Sequence, residues 1–151
     1  MPLNPAFVGR AYPPTAPYEV NCEKIREFAD AVGDTHPAYT DPAAARALGH
    51  DAVIAPPTFP FIIAHRAAEQ VVKDPELGLD YSRVVHSDQQ FSYTRPVRAG
   101  DRVSVVTTVE SARSLGGSDI LGVRGDLITA DGEHVVTVRM VIVARGTGRE
   151  R

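Results

Sequence analysis

The second half of the chain alternates apolar and polar residues with the period of a β-strand. Between 102 and 112, the side chains at 103, 105, 107 and 109 alternate with those at 104, 106, 108 and 110. The dipeptide Asp131-Gly132 lies between two apolar runs, which is a strong signal for a tight hairpin. The pattern predicts long strands at 84–97, 102–112, 120–129 and 134–144.

The first half has the spacing and end signals of helices. Asn21 is a favoured N-cap and Gly33 a favoured stop for the first helix. The predicted buried face of that helix is Ile25, Phe28, Ala29 and Val32. A short second helix is predicted from the cap Asp41, with Pro42 in its first turn, to a stop at Gly49. The proline-rich segment 11–17 is predicted to be extended.

A third helix is predicted over residues 59–72, with Thr58 as its cap. Pro60 falls in the first turn, where proline is tolerated. Apolar side chains lie on most sides of this helix, which predicts burial on most sides.

Helices followed by strands indicate an α+β domain with an antiparallel sheet. An apolar helix beside long strands suggests a sheet of about five strands wrapped around a central helix. This is the hot-dog fold, and we expect residues 1–151 to form one such domain. The tail 145–151 is small and polar and is expected to fray.

Composition narrows the function classes. The net charge of -3 argues against a nucleic-acid-binding protein. The chain begins without a signal-peptide pattern and has no stretch near the roughly 20 apolar residues that span a bilayer. The single cysteine, Cys22, cannot form an internal disulfide. We therefore expect a cytoplasmic protein without membrane or nucleic-acid partners, and neither a cofactor nor a metal ion.

Three segments carry a family likeness that covers nearly the whole chain. They are residues 28–37 with Tyr39 and Asp41, residues 54–59, and residues 91–101, which include Arg95-Pro96-Val97-Arg98-Ala99-Gly100-Asp101. In this order they resemble the N-terminal-type domain of the MaoC-like, (R)-specific hydratases and dehydratases. The small uncharacterised proteins similar to HadA-type subunits look most alike.

The resemblance implies a reversible dehydration of 3-hydroxyacyl thioesters. Active members of the family use a Gly-Asp-x-Asn-Pro-x-His loop, in which Asp is the acid and His the base. They also hold the thioester oxygen with a backbone N–H at the start of the central helix. Asp34 matches the family's acid and Pro37 its proline.

The sequence departs from that pattern at both chemical elements. His36 stands at the asparagine position and Tyr39 at the histidine position, where a phenol of pKa about 10 is a poor base. His36 could act as the base only from a position three residues earlier in the loop than that of the family's histidine. Pro56 and Pro57 stand near the oxyanion donor and have no N–H, which leaves Thr58 N–H as a candidate.

These departures favour a substrate-binding subunit that needs a catalytic MaoC-like partner. The expected ligand is an acyl-CoA or acyl-carrier-protein thioester, bound between the central helix and the sheet. Candidate lining residues, each of which could equally be ordinary core, are Phe59, Phe61, Ile62, Ile63, Phe91 and Tyr93. His86 could also point into the pocket, although a lone histidine on a strand is more often only half-exposed. Arginines on or beside strands could bind phosphate or simply form a solvated face; these are Arg95, Arg98, Arg102, Arg113 and Arg124.

Three other functions remain open. One is a lone hydratase that uses Asp34 with His36 or His86 as an unconventional base. Another is a non-enzymatic acyl-thioester-binding protein. A thioesterase is disfavoured, because only Glu69 offers a carboxylate on the central helix, near its far end. Dimerisation is expected, with an identical or a different chain.

Overall fold

The computed structural model describes residues 3–145, which form five strands and three α-helices. The helices are α1 (Cys22–Val32), α2 (Pro42–Ala47) and α3 (Pro60–Val72). The strands are β1 (Tyr18–Glu19), β2 (Val84–Tyr93), β3 (Arg102–Leu115), β4 (Ser118–Thr129) and β5 (His134–Ala144). Short 3-10 turns lie at Pro5–Phe7, Pro37–Tyr39 and Tyr81–Arg83.

The strands form one antiparallel sheet in the order β1-β3-β4-β5-β2. Strand β2 therefore lies at an edge, hydrogen-bonded to β5 on one side only. The sheet packs around α3, which confirms the predicted α+β hot-dog architecture.

Alternation in β3 directs Val103, Val105, Thr107 and Val109 into the core, as the sequence predicts. Helix α3 approaches the sheet closely at Gly125 of β4. A Cβ on that glycine would lie 3.4 Å from the Ala64 Cβ and 3.2 Å from Val105 Cγ1. Glycine here lets the helix rest almost on the strand backbone.

The first two helices begin where the sequence predicts. Asn21 Oδ1 accepts a hydrogen bond from Lys24 N at 2.8 Å, and Gly33 ends α1 in the left-handed conformation, with φ of 73°. Asp41 caps α2 through Ala43 N at 2.9 Å. The prediction was wrong for Val32, which is 52% exposed, because the last turn of α1 extends beyond the core.

The central helix is buried on most sides, as predicted, but the prediction was wrong at its start. Phe59 is the N-cap residue and no side chain caps α3, so Thr58 does not have that role. The helix also has a solvent face made of His65, Arg66 and Glu69. No described helix has the length and apolar character required to cross a bilayer.

Strand β2 ends at Tyr93 instead of continuing to 97. Thr94 N and Arg95 N both donate to Val135 O, and Pro96 has no N–H to continue the ladder. The next residues pair instead with the segment that enters α3, through Ala55 N to Val97 O at 2.8 Å. The two-residue strand β1 was not predicted, and the tail expectation, apart from Arg145, falls outside the described residues.

Arg95 fixes the segment between β2 and β3. Its side chain is 17% exposed and Asp101 is 7% exposed. All five of its N–H donors are used: two bind Asp101, two bind Glu133 and one binds Pro96 O. Arg95 therefore has no donor left for a phosphate, and its role is structural.

Replacing Arg95 with Met should destabilise the domain by about 3 kcal/mol, because the buried Asp101 carboxylate loses its two Arg95 hydrogen bonds and keeps only Arg98 as a partner. Urea unfolding at neutral pH measures this, with the exposed Arg102→Met as a control that changes stability by less than about 0.5 kcal/mol.

Arg95 also lowers the pKa of Glu133 below its usual value. The stabilisation of the folded state by this ion pair is fully present above the ordinary pKa of glutamate. It is lost as the pH falls through the lowered pKa of Glu133 in the folded protein. The difference between wild type and variant should therefore narrow below about pH 4.

Candidate functional site

The loop that follows α1 brings Asp34, His36 and Tyr39 together. Asp34 Oδ1 accepts from His36 N at 3.2 Å, and His36 Nδ1 accepts from Ala38 N at 3.1 Å. The second bond caps the 3-10 turn Pro37–Tyr39. The rings of His36 and Tyr39 lie 5.7 Å apart between centroids.

The phenol of Tyr39 faces the carboxylate of Asp34. Partial burial raises the pKa of Tyr39, and the charge of Asp34 and a hydrogen bond to it raise it further. A phenol in this environment holds its proton more firmly than in water, so even less of it is ionised and able to accept a proton at neutral pH.

His36 is occupied as a cap and does not reach Asp34 with its ring. Because Nδ1 accepts the Ala38 N–H, a neutral ring carries its proton on Nε2 and has no second lone pair to offer. Within residues 3–145, no imidazole nitrogen lies within 4.0 Å of the Asp34 carboxylate. The geometry does not favour His36 as the unconventional base.

Tyr93 joins this loop to the entrance of α3. Its hydroxyl donates to Pro57 O at 2.6 Å. Burial, followed by the nearby Tyr39, raises the pKa of Tyr93, which keeps the hydroxyl protonated as a donor. Asp34, Tyr39 and Tyr93 therefore all lie at the N-terminal end of α3.

Pro57 and Thr58 form the centre of a tight turn, closed by Phe59 N to Pro56 O at 2.9 Å. In a planar trans peptide, the Pro57 carbonyl and the Thr58 N–H point in opposite directions. The carbonyl is held by Tyr93, and no acceptor for the exposed Thr58 N–H is found among the described residues.

A groove of about 210 Å³ runs along α3 beside the edge of the sheet. Its buried floor is apolar and consists of Ala68, Val123, Met140 and Ile142. Its rim is more exposed and carries Phe61, His65, Glu69, Val72, Tyr81, Val84 and His86. The Phe61 ring stands between His65 and His86, at centroid distances of 5.1 and 5.6 Å.

Of the lining residues proposed from the sequence, Phe61 and His86 line this groove. Phe59 and Ile63 are buried, and Phe59 packs edge-on against Phe28 at 5.4 Å. Ile62 and Phe91 are half-buried against the core. The floor residues were missed: strand alternation marks Val123, Met140 and Ile142 as inward-facing, but only the sheet order shows which inward positions α3 leaves uncovered.

The other candidate groups are engaged or distant from the loop. Arg124 binds Glu110 and Asp126, and Arg98 lies 3.6 Å from Asp51. Glu69 pairs with Lys73 at 2.8 Å. Across residues 3–145, no group of three or more His, Cys, Asp or Glu side chains is arranged to hold a metal ion.

Comparison with known proteins agrees with this architecture. Residues 6–138 match the model of the FAS1-like, dehydratase domain region. A UPF0336 protein of Streptomyces avermitilis is 65% identical over 145 residues, which cover 96% of this chain and 97% of the relative.

Two solved structures are similar in sequence as well as in fold. One is a MaoC-like dehydratase, with a TM-score of 0.85 and 33% identity over 93% of this chain, although the match spans only 42% of that protein. The other is the C-terminally truncated HadBC (3R-hydroxyacyl-ACP dehydratase) complex of Mycobacterium tuberculosis, with a TM-score of 0.83 and 31% identity over 91% of this chain and 96% of that one. The chain therefore belongs to the MaoC-like dehydratase family of hot-dog proteins.

Proposed function

We propose that this chain is the acyl-thioester-binding subunit of a 3-hydroxyacyl-thioester dehydratase or (R)-specific enoyl hydratase. In this proposal a second MaoC-like chain supplies the complete Asp and His pair. The observation that carries the proposal is that Asp34 faces the phenol of Tyr39 and no imidazole.

The chemistry explains why this observation matters. Dehydration removes a proton from the carbon next to a thioester carbonyl, and a base works best when its pKa is near the working pH. The pKa of Tyr39 is raised above the ordinary phenol value and therefore lies further from neutrality. The loop retains a carboxylate but has no proton acceptor of suitable strength beside it.

The groove supports the binding part of the proposal. Its apolar floor would remove an acyl chain from water, at about 0.8 kcal/mol for each buried CH₂. Its Phe61 end lies in the first turn of α3, near the loop of Asp34 and Tyr39. An acyl chain in the groove would therefore hold its thioester at the N-terminal end of the helix.

Thr58 N–H is our candidate for holding the thioester oxygen. It is exposed, it has no described acceptor, and Tyr93 holds the opposite side of its peptide unit. A fixed N–H donor in a site that excludes water stabilises developing negative charge without reorganisation.

The edge strand β2 supports a partner chain. None of its ten residues is fully buried, and it contains no Lys, Arg or Pro, the residues that usually protect an edge. The groove lies along this same edge, through Val84 and His86. A strand added there would bring a second hot-dog domain next to the groove, and the similar M. tuberculosis structure is itself a complex.

Replacing Tyr39 with His should create a hydratase, because it puts an imidazole beside Asp34 at the family's spacing. We expect hydration of crotonyl-CoA by the chain alone to rise by about a hundredfold or more. The new activity should fall below about pH 6.5, as the imidazole becomes protonated. A spectrophotometric assay of the enoyl thioester measures both effects.

Two outcomes of this assay decide the proposal. Asp34→Asn in the Tyr39→His background should remove the gained activity, since the acid would be lost. Turnover by the unmodified chain at an ordinary enzyme rate, about 1 s⁻¹ or faster, would refute the helper role.

Filling the groove should weaken binding of longer acyl chains only. We expect Ala68→Leu to reduce octanoyl-CoA affinity by about tenfold, because the added side chain occupies the space of about two CH₂ groups. Butyryl-CoA affinity should stay unchanged. Calorimetric titration measures both, and thermal unfolding verifies the fold of the variant.

Ala43→Leu is the matched control, because it adds the same side chain at an exposed position of α2. It should leave both affinities unchanged. Equal weakening of butyryl and octanoyl ligands by Ala68→Leu would show that the acyl chain lies elsewhere. Binding without turnover in the presence of every catalytic MaoC-like chain tested would instead favour the non-enzymatic alternative.

A further inference from the structure

The groove has a direction, because its lining residues follow α3 from one end to the other. Phe61 lies in the first turn and Val72 is the last residue of the helix, eleven residues further on. At a rise of 1.5 Å per residue this separation is about 16 Å. Strand β2 runs antiparallel to α3 beside it: His86 contacts Phe61, while Tyr93 reaches Pro57 before the helix.

Tyr81 stands at the far end of this path. Its 3-10 turn, Tyr81–Arg83, immediately precedes β2, and its side chain lines the groove with Val72 and Val84. Lys73, the residue after α3, has a raised pKa, chiefly from Glu69 and to a smaller extent from the Tyr81 hydroxyl. Because it lines the groove together with Val72 and Val84, Tyr81 lies at the C-terminal end of the helix, opposite Asp34 and Tyr39.

The capacity of the groove is limited. An apolar cavity of about 150 Å³ holds a six-carbon ring such as benzene. The groove here is about 210 Å³, so by the same measure it accommodates about eight carbons.

We propose that Tyr81 is the end stop of the groove and makes this chain selective for medium acyl chains of about eight carbons. The inference rests on the proposed function and adds to it the length of the ligand and the residue that sets this length. Chain atoms beyond the Tyr81 ring would leave the groove for water and add little to the affinity.

A chain-length series tests this directly. Affinities of butyryl-, hexanoyl-, octanoyl-, decanoyl- and lauroyl-CoA are measured by calorimetric titration for wild type, Tyr81→Ala and Tyr81→Phe. In the wild type the affinity should rise by about fourfold per CH₂ up to octanoyl and then level off. In Tyr81→Ala the rise should continue at the same rate for about two further CH₂ groups, giving decanoyl-CoA a gain of about fifteenfold over wild type. Tyr81→Phe retains the ring and should keep the wild-type limit.

Tyr81 is 53% exposed, so its truncation is expected to leave the fold intact, as thermal unfolding will verify. A wild-type limit that Tyr81→Ala does not move overturns the end stop and leaves the proposed function standing. The same holds if the affinity keeps rising to lauroyl-CoA in the wild type. No binding of any thioester, or an affinity independent of length in all three proteins, overturns the proposed function and the end stop together.

Discussion

The contact between Ala64 of α3 and the backbone of β4 at Gly125 determines how the helix sits on the sheet. With no side chain at Gly125, the helix rests over β3 and β4, where Val105 also meets the glycine. The half of the sheet formed by β5 and β2 is then incompletely covered, and the groove opens there, above Met140 and Ile142. The position of the helix therefore decides both the depth of the core and the location of the groove.

The same arrangement brings two kinds of chemistry to opposite ends of one helix. At the N-terminal end, Asp34, Tyr39 and Tyr93 form a polar group. Burial raises the pKa of both phenols; Asp34 raises the pKa of Tyr39 further, and Tyr39 raises that of Tyr93. At the C-terminal end the surroundings are Val72, Tyr81 and Val84. A thioester has this same polarity, with a polar carbonyl at one end and a hydrocarbon tail at the other, so the ligand and the path match in direction as well as in composition.

The sequence predicts the helices and the hairpin correctly because their signals are local. Asn21, Gly33, Asp41 and the Asp131-Gly132 turn act within a few residues, and each lies where its helix or hairpin begins or ends. The prediction failed where contacts between distant residues determine the course of the chain. The pattern from 84 to 97 reads as one strand, but Arg95 turns the chain to bind Asp101 and Glu133. The residues of the loop were identified through the family resemblance, whereas the groove floor depends on the sheet order.

The loss of a base and the retention of Asp34 are not contradictory in a two-chain enzyme. Asp34 Oδ1 accepts the backbone N–H of His36, and the Tyr39 phenol lies near the same carboxylate. In the proposed function this loop would contact a bound thioester although no proton moves across it. An imidazole at position 39 would add a second titrating group beside Asp34, whereas the phenol stays neutral across the physiological range. In the proposed two-chain enzyme, a phenol at position 39 would leave proton abstraction to the partner chain and the binding of the acyl chain to this one.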